Sequence, residues 1–171
     1  MQEIEVKFLD INKTEIIGKL KSLKAKKIFE GNIETTFYDF KDNSLRKQGK
    51  TVRLRTKGNA VELTFKKAIS KQQAKIMEEK NFNLKNLKEA KIFLKSLNLI
   101  PTKTLPKKHR ISYQLKDIHF DMDKYTNIPL FLEIESDEIN KIKRAANLLN
   151  LDFKKSKTFS AMGLLNYYKR K

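Results

Sequence analysis

A two-residue alternation of apolar and polar side chains recurs along most of this chain and constrains its fold more than any other feature. In residues 3–9, Ile4, Val6 and Phe8 fall on one face, while the opposite face carries charged side chains. The same alternation occurs in residues 51–57, 61–67, 75–84, 108–115, 118–123 and 130–135. A period of two is typical of β-strands that bury one face. The sequence therefore predicts a sheet-dominated fold, to which residues 27–40 are expected to add one or two strands.

Two further patterns complete the predicted secondary structure. Lys57, Gly58 and Asn59 separate two of the alternating segments and indicate a hairpin. Helical periodicity appears in residues 13–23, 87–97, 139–149 and 160–168. The chain of 171 residues has the length of one domain, and no low-complexity or linker-like stretch divides it. We therefore expect a single α+β domain over residues 1–171.

Composition excludes several classes of protein and site. The absence of Cys rules out a disulfide scaffold, a thiolate zinc site and a cysteine nucleophile, and two His are too few for a histidine-rich metal site. A bound metal would have to use carboxylates. No apolar run approaches the roughly 18 residues that span a bilayer, and acids stand where a signal peptide needs a basic start. These features predict a cytoplasmic protein without a membrane segment.

The charge balance is strongly basic, with 38 Lys and Arg against 20 acids and a formal net charge of +18. Such a balance often indicates a polyanionic partner. Only six of the basic residues are Arg, however, and the abundance of Lys, Asn and Ile is typical of a compositional bias. The aromatic and basic motifs of the common RNA-binding modules are absent. We therefore interpret the scattered Lys as a solvated surface, and a nucleic-acid partner is not predicted.

The polar faces of the predicted strands are charged on almost every strand, which an ordinary half-exposed sheet does not require. A closed antiparallel β-barrel is the alternative, because it turns these faces toward a polar lumen, or tunnel, and leaves the apolar faces outward beneath amphipathic helices. Such a lumen needs charges of both signs, since like charges are costly to bury together. The candidate lumen acids are Glu3, Glu5, Glu62, Glu79, Asp121, Asp123, Glu133 and Glu135. The candidate lumen bases are Lys7, Arg53, Arg55, Lys66, Lys75, Lys108 and Arg110.

Two pairs of carboxylates indicate a metal site. Glu3 with Glu5, and Glu133 with Glu135, are two residues apart in predicted strands, so each pair projects to one side of its strand. Oxygen ligands of this kind suit Mg²⁺ or Mn²⁺. Arg and Lys side chains facing the same lumen suit a bound polyphosphate.

Glu3-Ile4-Glu5-Val6-Lys7 begins a series of short motifs that spans nearly the whole chain. The series continues with Val52-Arg53-Leu54-Arg55, Leu63-Thr64-Phe65-Lys66 and Lys108-His109-Arg110, and it ends with Asp123 followed by residues 128–135, which read IPLFLEIE. In this order the motifs resemble the ExExK, RLR, LTxK, KxR and IPxYLEIE elements of the CYTH superfamily, the triphosphate tunnel metalloenzymes. This superfamily includes class IV adenylate cyclases, thiamine triphosphatases and inorganic tripolyphosphatases.

The resemblance implies a tunnel with a metal end and a phosphate end. The implied ligands of Mg²⁺ or Mn²⁺ are Glu3, Glu5, Asp123, Glu133 and Glu135. The implied triphosphate ligands are Lys7, Arg53, Arg55, Lys66, Lys108 and Arg110. Asp123, which either joins the metal ligands or orients a water, and Lys7 are the candidates for a catalytic role. Further candidate site residues are Glu62, Glu79, Asp121 and Lys75.

One segment departs from the family pattern. Members commonly carry an Arg two residues before an acid in the strand after LTxK, whereas here Met77 precedes Glu79. Lys75 is a possible replacement for the missing Arg. The adjacent Glu78 leaves open which of the two acids faces the tunnel.

The resemblance implies a divalent-metal-dependent enzyme that cleaves a phosphate anhydride bond of ATP, tripolyphosphate or thiamine triphosphate. Hydrolysis by a triphosphatase is our first expectation, because no adenine-reading motif is visible. The alternative is a class IV-type adenylate cyclase, which converts ATP to cAMP and pyrophosphate. A non-catalytic binder of polyphosphate or RNA would instead use the basic surface, and its salt-sensitive affinity would survive loss of the acidic pairs. The oligomeric state stays open.

Overall fold

Antiparallel strands make up most of the chain in the computed structural model, which describes residues 2–70 and 75–170 without the side chains of Gln2, Ser70 and Lys75. The strands are β1 (Gln2–Phe8), β2 (Lys26–Asp39), β3 (Lys50–Lys57), β4 (Ala60–Ser70), β5 (Lys75–Leu84), β6 (Ile100–Thr104), β7 (Lys108–Leu115), β8 (Ile118–Tyr125) and β9 (Phe131–Ser136). The helices are α1 (Lys13–Ser22), α2 (Ser44–Lys47), α3 (Leu87–Ser96), α4 (Ile139–Leu148) and α5 (Ala161–Lys169), with a 3₁₀ turn at Phe153–Lys155.

The strands close into a ring. They pair edge to edge in the order β3, β4, β5, β1, β9, β8, β7 and β2, and β2 returns to pair with β3. Each of these pairings is antiparallel. β6 extends the sheet beyond the ring by pairing with β2. The predicted α+β fold, with antiparallel strands arranged as a ring, is confirmed.

β2 makes closure of the ring possible because its 14 residues change partners along their length. Its first half pairs with β7, and its second half pairs with β3 on one edge and with β6 on the other. Irregularities between Lys27 and Phe29 and between Phe37 and Tyr38 interrupt its register. β6 is an element that the alternation does not predict, since all five of its residues are exposed.

Turns and helix ends follow from local backbone chemistry. Gly58 has a φ of 60° in the predicted hairpin between β3 and β4, where a larger residue would be strained. Asn12 and Asn86 cap α1 and α3, because their side-chain oxygens accept hydrogen bonds from backbone N–H groups of the first turn.

The hydrophobic core lies outside the ring, between the apolar strand faces and the helices. Phe120 of β8 is fully buried there with Leu20 of α1 and Ile142 of α4. A smaller cluster packs Leu54 of β3 against Leu94 of α3. This packing leaves the charged strand faces to the inside of the ring. Among the residues described, no helix is long and apolar enough to cross a membrane.

Candidate active site

The charged strand faces point into the ring and line a tunnel. Residues opposite each other in an antiparallel pair share a face of the sheet. The register places Lys7 opposite Glu133 and Arg110 opposite Asp123. Lys7 is 1% exposed and Asp123 is 0% exposed. Charges buried to this extent need partners of opposite sign, which the tunnel supplies.

Arg110 lies at the centre of a densely paired group that we call the Arg110 cluster. Its members are Glu5, Lys7, Lys108, Arg110, Asp121, Asp123 and Glu133. The guanidinium donates to Asp123 from Nε at 2.6 Å and to Glu133 from Nη2 at 2.7 Å. It also donates to Asp121. Arg110 is therefore held by three carboxylates at once.

Mutual pairing outweighs the effect of burial on the pKa values of Lys7, Arg110 and Glu133 in the Arg110 cluster. Burial alone would lower the pKa of Lys7, but the nearby carboxylates of Glu133 and Glu5 raise it above its usual value. Burial would raise the pKa of Glu133, but Lys7, Lys108 and Arg110 hold it well below its usual range. Lys108 differs, because burial and the charge of Arg110 lower its pKa to about 8.

Arg53 and Arg55 of β3 form a contrasting group, which we call the Arg53–Arg55 pair. Arg53 Nη2 and Arg55 Nη1 both lie 3.5 Å from the same oxygen, Oε1 of Glu62. Arg53 also donates to Thr64 Oγ1 at 3.1 Å and lies 3.8 Å from Glu79. The Nε atoms of both Arg side chains are buried and have no hydrogen-bond partner among the described residues.

Too little negative charge surrounds Arg55. Burial and repulsion from Arg53 and Arg110 lower the pKa of its guanidinium to about 10. A buried N–H donor without a partner is costly, and the planar fork of a guanidinium matches phosphate oxygens. The Arg53–Arg55 pair is therefore a candidate anion-binding site.

Glu3, Glu79 and Glu135 form an acidic group near Lys66 of β4. Lys66 Nζ lies 2.7 Å from Glu3 and also contacts Glu79. Burial, a hydrogen bond with Glu79 and the charge of Glu135 raise the pKa of Glu3 to about 10. Burial, together with the charge of Asp121, raises the pKa of Glu135. Among the described side chains, the acidic group has more carboxylates than cations, so a further cation would stabilise it.

These carboxylates have the oxygen chemistry that Mg²⁺ and Mn²⁺ prefer. In the described part of the chain, no three His, Asp or Glu side chains stand in an arrangement that could already hold a metal ion. Instead the carboxylates contact bases, as Glu3 contacts Lys66 and Glu133 contacts Lys7. A divalent cation therefore fits the donor set provided that it replaces some of these ion pairs.

The ring brings the motif residues together around one tunnel. Glu62 and Asp121 face the same space, since they contact Arg side chains of the tunnel wall. Glu79 also faces inward, whereas the side chain of Glu78 is 43% exposed on the outer face. The sequence left open which of the two acids faces the tunnel, and in the structure it is Glu79. The side chain of Lys75, a further predicted site residue, lies outside the described residues.

Other inward-facing residues were missed by the sequence analysis. Lys57 and Ser112 share the strand parity of the predicted Arg side chains, so the alternation itself could have identified them. Phe29 of β2 also faces inward, opposite Ser112. Its orientation could not be read from the sequence, because the irregularity that follows Lys27 resets the alternation.

One end of the tunnel is closed by apolar side chains beneath α5. Tyr125 of β8 and Phe131 of β9 stack with their ring centroids 6.2 Å apart. Both are buried in one cluster with Leu164 of α5. At the opposite end, Phe29 and Lys57 are partly exposed. Among the described residues, that end of the tunnel is therefore the more open of the two.

Comparison with known proteins identifies relatives of the same fold. A family model described as a CYTH domain matches residues 1–163, and no curated protein matches the chain. A protein from Pyrococcus horikoshii has 22% identity and a TM-score of 0.76, over 95% of this chain and 98% of its own. An adenylate cyclase candidate from Vibrio parahaemolyticus has 20% identity and a TM-score of 0.79, over 96% and 97%. An adenylyl cyclase candidate from Hippeastrum, described as having a dominant triphosphatase activity, has 12% identity and a TM-score of 0.65, over 98% and 95%.

Proposed function

This chain belongs to the CYTH domain family, and from that membership we propose that its tunnel binds a triphosphate and cleaves one of the phosphate anhydride bonds. The observation that carries the proposal is the Arg53–Arg55 pair. Its buried Nε atoms have no partner among the described residues, and its guanidinium groups share one carboxylate oxygen. A phosphate chain supplies both the missing acceptors and the missing negative charge.

A chain of phosphates also suits the distribution of bases around the tunnel. The proposed triphosphate ligands are Lys7, Arg53, Arg55, Lys66, Lys108 and Arg110. They come from β1, β3, β4 and β7, so they approach the tunnel from several sides. Several of them pair with acids of the tunnel. Phosphate oxygens would take over these bases and release carboxylates for a metal.

The proposed metal ligands are Glu3, Glu5, Asp123, Glu133 and Glu135. Triphosphate tunnel enzymes generally depend on a divalent metal. Mg²⁺ or Mn²⁺ held by these carboxylates would neutralise phosphoryl oxygens during in-line transfer. Glu3 and Glu135 have the greater need of a cation, because their pKa values are raised, whereas that of Glu133 is lowered by Lys7, Lys108 and Arg110 despite burial.

Asp123 and Lys7 are the proposed catalytic residues. Asp123 accepts hydrogen bonds from Lys108 at 2.5 Å and from Arg110 Nε at 2.6 Å. Once these bases turn to the phosphates, the Asp123 carboxylate is available to orient the attacking water. The ammonium of Lys7 would then stabilise negative charge on the phosphoryl group under attack.

Hydrolysis is the reaction we propose, and cyclisation of ATP is the alternative. Hydrolysis needs a water in line with a phosphoryl group, whereas cyclisation needs the ribose 3′-hydroxyl beside the α-phosphate. The phosphate and metal ligands serve both reactions. Structural relatives described as an adenylate cyclase candidate and as a protein with dominant triphosphatase activity share the fold.

Product analysis tests the proposal directly. Purified protein is incubated with ATP, tripolyphosphate or thiamine triphosphate in Mg²⁺ or Mn²⁺, and cAMP and pyrophosphate are resolved from ADP and phosphate. We expect metal-dependent release of phosphate. Dominant formation of cAMP from ATP would establish cyclisation instead. Salt-sensitive binding without turnover of any of the three substrates would favour the non-catalytic binder.

A further inference from the structure

An aromatic side chain at the open end of the tunnel is unused by the proposed function. Phe29 of β2 faces inward and packs in none of the hydrophobic clusters formed by the described residues. Its ring is partly exposed. At the closed end, by contrast, Tyr125 and Phe131 are buried and stacked on each other. Phe29 is therefore an aromatic surface that an entering ligand can reach.

Gly31 and Lys57 set the position of the Phe29 ring. A Cβ atom at Gly31 would lie 3.2 Å from Phe29 Cζ, so the ring rests where any larger residue would crowd it. Lys57 Nζ lies 4.5 Å from the ring centroid, over its face. Gly31 is paired with Arg110. The ring thus lies next to the bases that are proposed to hold phosphate.

Ser112 contributes a hydroxyl that no other described residue uses. Its side chain shares the inner face with Phe29 and Asp121, its partners on the two neighbouring strands. The residue is 2% exposed, and its Oγ has no hydrogen-bond partner among the described residues. Because a buried hydroxyl without a partner is costly, a ligand with a hydroxyl or amino group at this depth would gain binding energy from it.

We propose that Phe29, Lys57 and Ser112 form a subsite for the nucleoside of a nucleoside triphosphate. The inference rests on the proposed function, which places the phosphates beside Arg55 and Arg110. The base stacks on Phe29 in place of the Lys57 ammonium, the ammonium moves to a phosphate, and Ser112 Oγ bonds to the nucleoside. Tripolyphosphate would leave this subsite empty. Thiamine triphosphate carries no nucleoside, so we expect the subsite to contribute less to its binding than to that of ATP.

Calorimetric titration of the full chain with ATP, tripolyphosphate and thiamine triphosphate, in EDTA to prevent turnover, tests the subsite. Phe29→Leu removes the flat ring, and Phe93→Leu on the exposed face of α3 is the matched control. We expect Phe29→Leu to weaken ATP binding about tenfold while tripolyphosphate binding changes less than about twofold. Ser112→Ala should weaken ATP binding about threefold, with the same selectivity.

The possible outcomes separate the subsite from the proposed function. If Phe29→Leu lost equal affinity for ATP and tripolyphosphate, or lost no affinity for ATP, the proposed subsite would be wrong. The proposed phosphate site would stand in either case. If Phe29→Leu lost as much affinity for thiamine triphosphate as for ATP, the subsite would not be specific for a nucleoside. If the unsubstituted protein bound none of the three ligands in EDTA and also turned over none of them in Mg²⁺ or Mn²⁺, the proposed function itself would fail. Should Phe29→Leu not fold, Ser112→Ala carries the same comparison.

Discussion

Arg55 and Arg110 lie in the same tunnel, but their surroundings prepare them for different tasks. Arg110 contacts three carboxylates, which raise its pKa above the usual value although burial opposes this. Arg55 shares one oxygen of Glu62 with Arg53. Burial and the two neighbouring guanidinium groups lower its pKa to about 10. Arg110 is thus neutralised within the protein, while Arg55 lacks negative charge that a ligand can supply.

The difference follows from the strands on either side of each Arg. Arg110 of β7 faces β8, which presents Asp121 and Asp123 to the tunnel. Arg55 of β3 faces β4, which presents Glu62 and the uncharged Thr64 at the corresponding positions, so this neighbouring strand supplies one carboxylate instead of two. The tunnel therefore has a wall of balanced charge and a wall of excess positive charge. Only the second wall gains full electrostatic stabilisation from an incoming anion.

Removal of each guanidinium should affect stability very differently, and this is the largest effect we expect. Arg110→Met removes the cation that three tunnel carboxylates share and should lower the free energy of unfolding by about 3–5 kcal/mol. Arg55→Met removes an under-neutralised buried cation and should change it by less than about 1 kcal/mol, or raise it. Urea unfolding of the two variants without ligand measures the difference.

If Arg110→Met and Arg55→Met lowered the free energy of unfolding equally, the proposed difference between the two walls would be wrong. Lys95→Met serves as the control for loss of one positive charge, because Lys95 is exposed on α3. It should leave the free energy of unfolding within about 0.5 kcal/mol of the unsubstituted protein.

The second prediction concerns anion binding at the positive wall. Arg55→Met should weaken tripolyphosphate binding about 10- to 100-fold, because a charge-assisted hydrogen bond contributes about 1.5–3 kcal/mol. AMP should lose less affinity, since a single phosphate reaches fewer of the bases. Titration calorimetry with both ligands gives the dissociation constant of Arg55→Met relative to that of the unsubstituted protein for each of them. Equal losses for tripolyphosphate and AMP would argue against a site of triphosphate length.

The composition of each tunnel wall could be predicted from the sequence where a strand alternates regularly. The alternation predicts a strand at residues 108–115, and β7 spans Lys108–Leu115. The same parity placed Arg55 and Arg110 among the candidate lumen bases. Local pattern is sufficient here because side chains alternate strictly between the two faces of a strand.

The contrast between the two Arg residues could not be predicted in this way. It depends on which strands are neighbours and in which register, and these are properties of the whole ring. The sequence does not show that β2, with Thr35 beside Arg55, closes the ring against β3. It also does not reveal the inward orientation of Phe29, because an irregularity interrupts the register of β2 before that residue.

The third prediction tests whether the acidic group is a place for a cation. Glu3→Gln keeps the shape of the side chain and removes the carboxyl group that could ionise to hold a metal. Without metal, the free energy of unfolding should stay within about 1 kcal/mol of the unsubstituted protein, because Gln resembles the protonated carboxyl that the raised pKa of Glu3 favours. With Mg²⁺ or Mn²⁺, the metal-induced increase in Tm should shrink, corresponding to about tenfold weaker metal binding.

Glu78→Gln is the matched control for this experiment, since Glu78 is its outward-facing counterpart on β5. Thermal unfolding in EDTA and in metal should show the unsubstituted metal response for Glu78→Gln. An unchanged metal response in Glu3→Gln would remove Glu3 from the proposed metal ligands.

The smallest expected effect distinguishes the charge of Arg55 from its shape. Arg55→Lys keeps a positive charge at the positive wall but replaces the planar fork by a single ammonium. If the unpartnered Nε–H group contributes to phosphate recognition, tripolyphosphate binding should weaken about three- to tenfold, less than in Arg55→Met. Stability without ligand should differ little between the two variants, because neither leaves more than Glu62 without this partner. If Arg55→Lys kept the full affinity for tripolyphosphate, positive charge alone would explain why this wall binds anions. The Nε–H group of Arg55 would then contribute nothing to phosphate recognition.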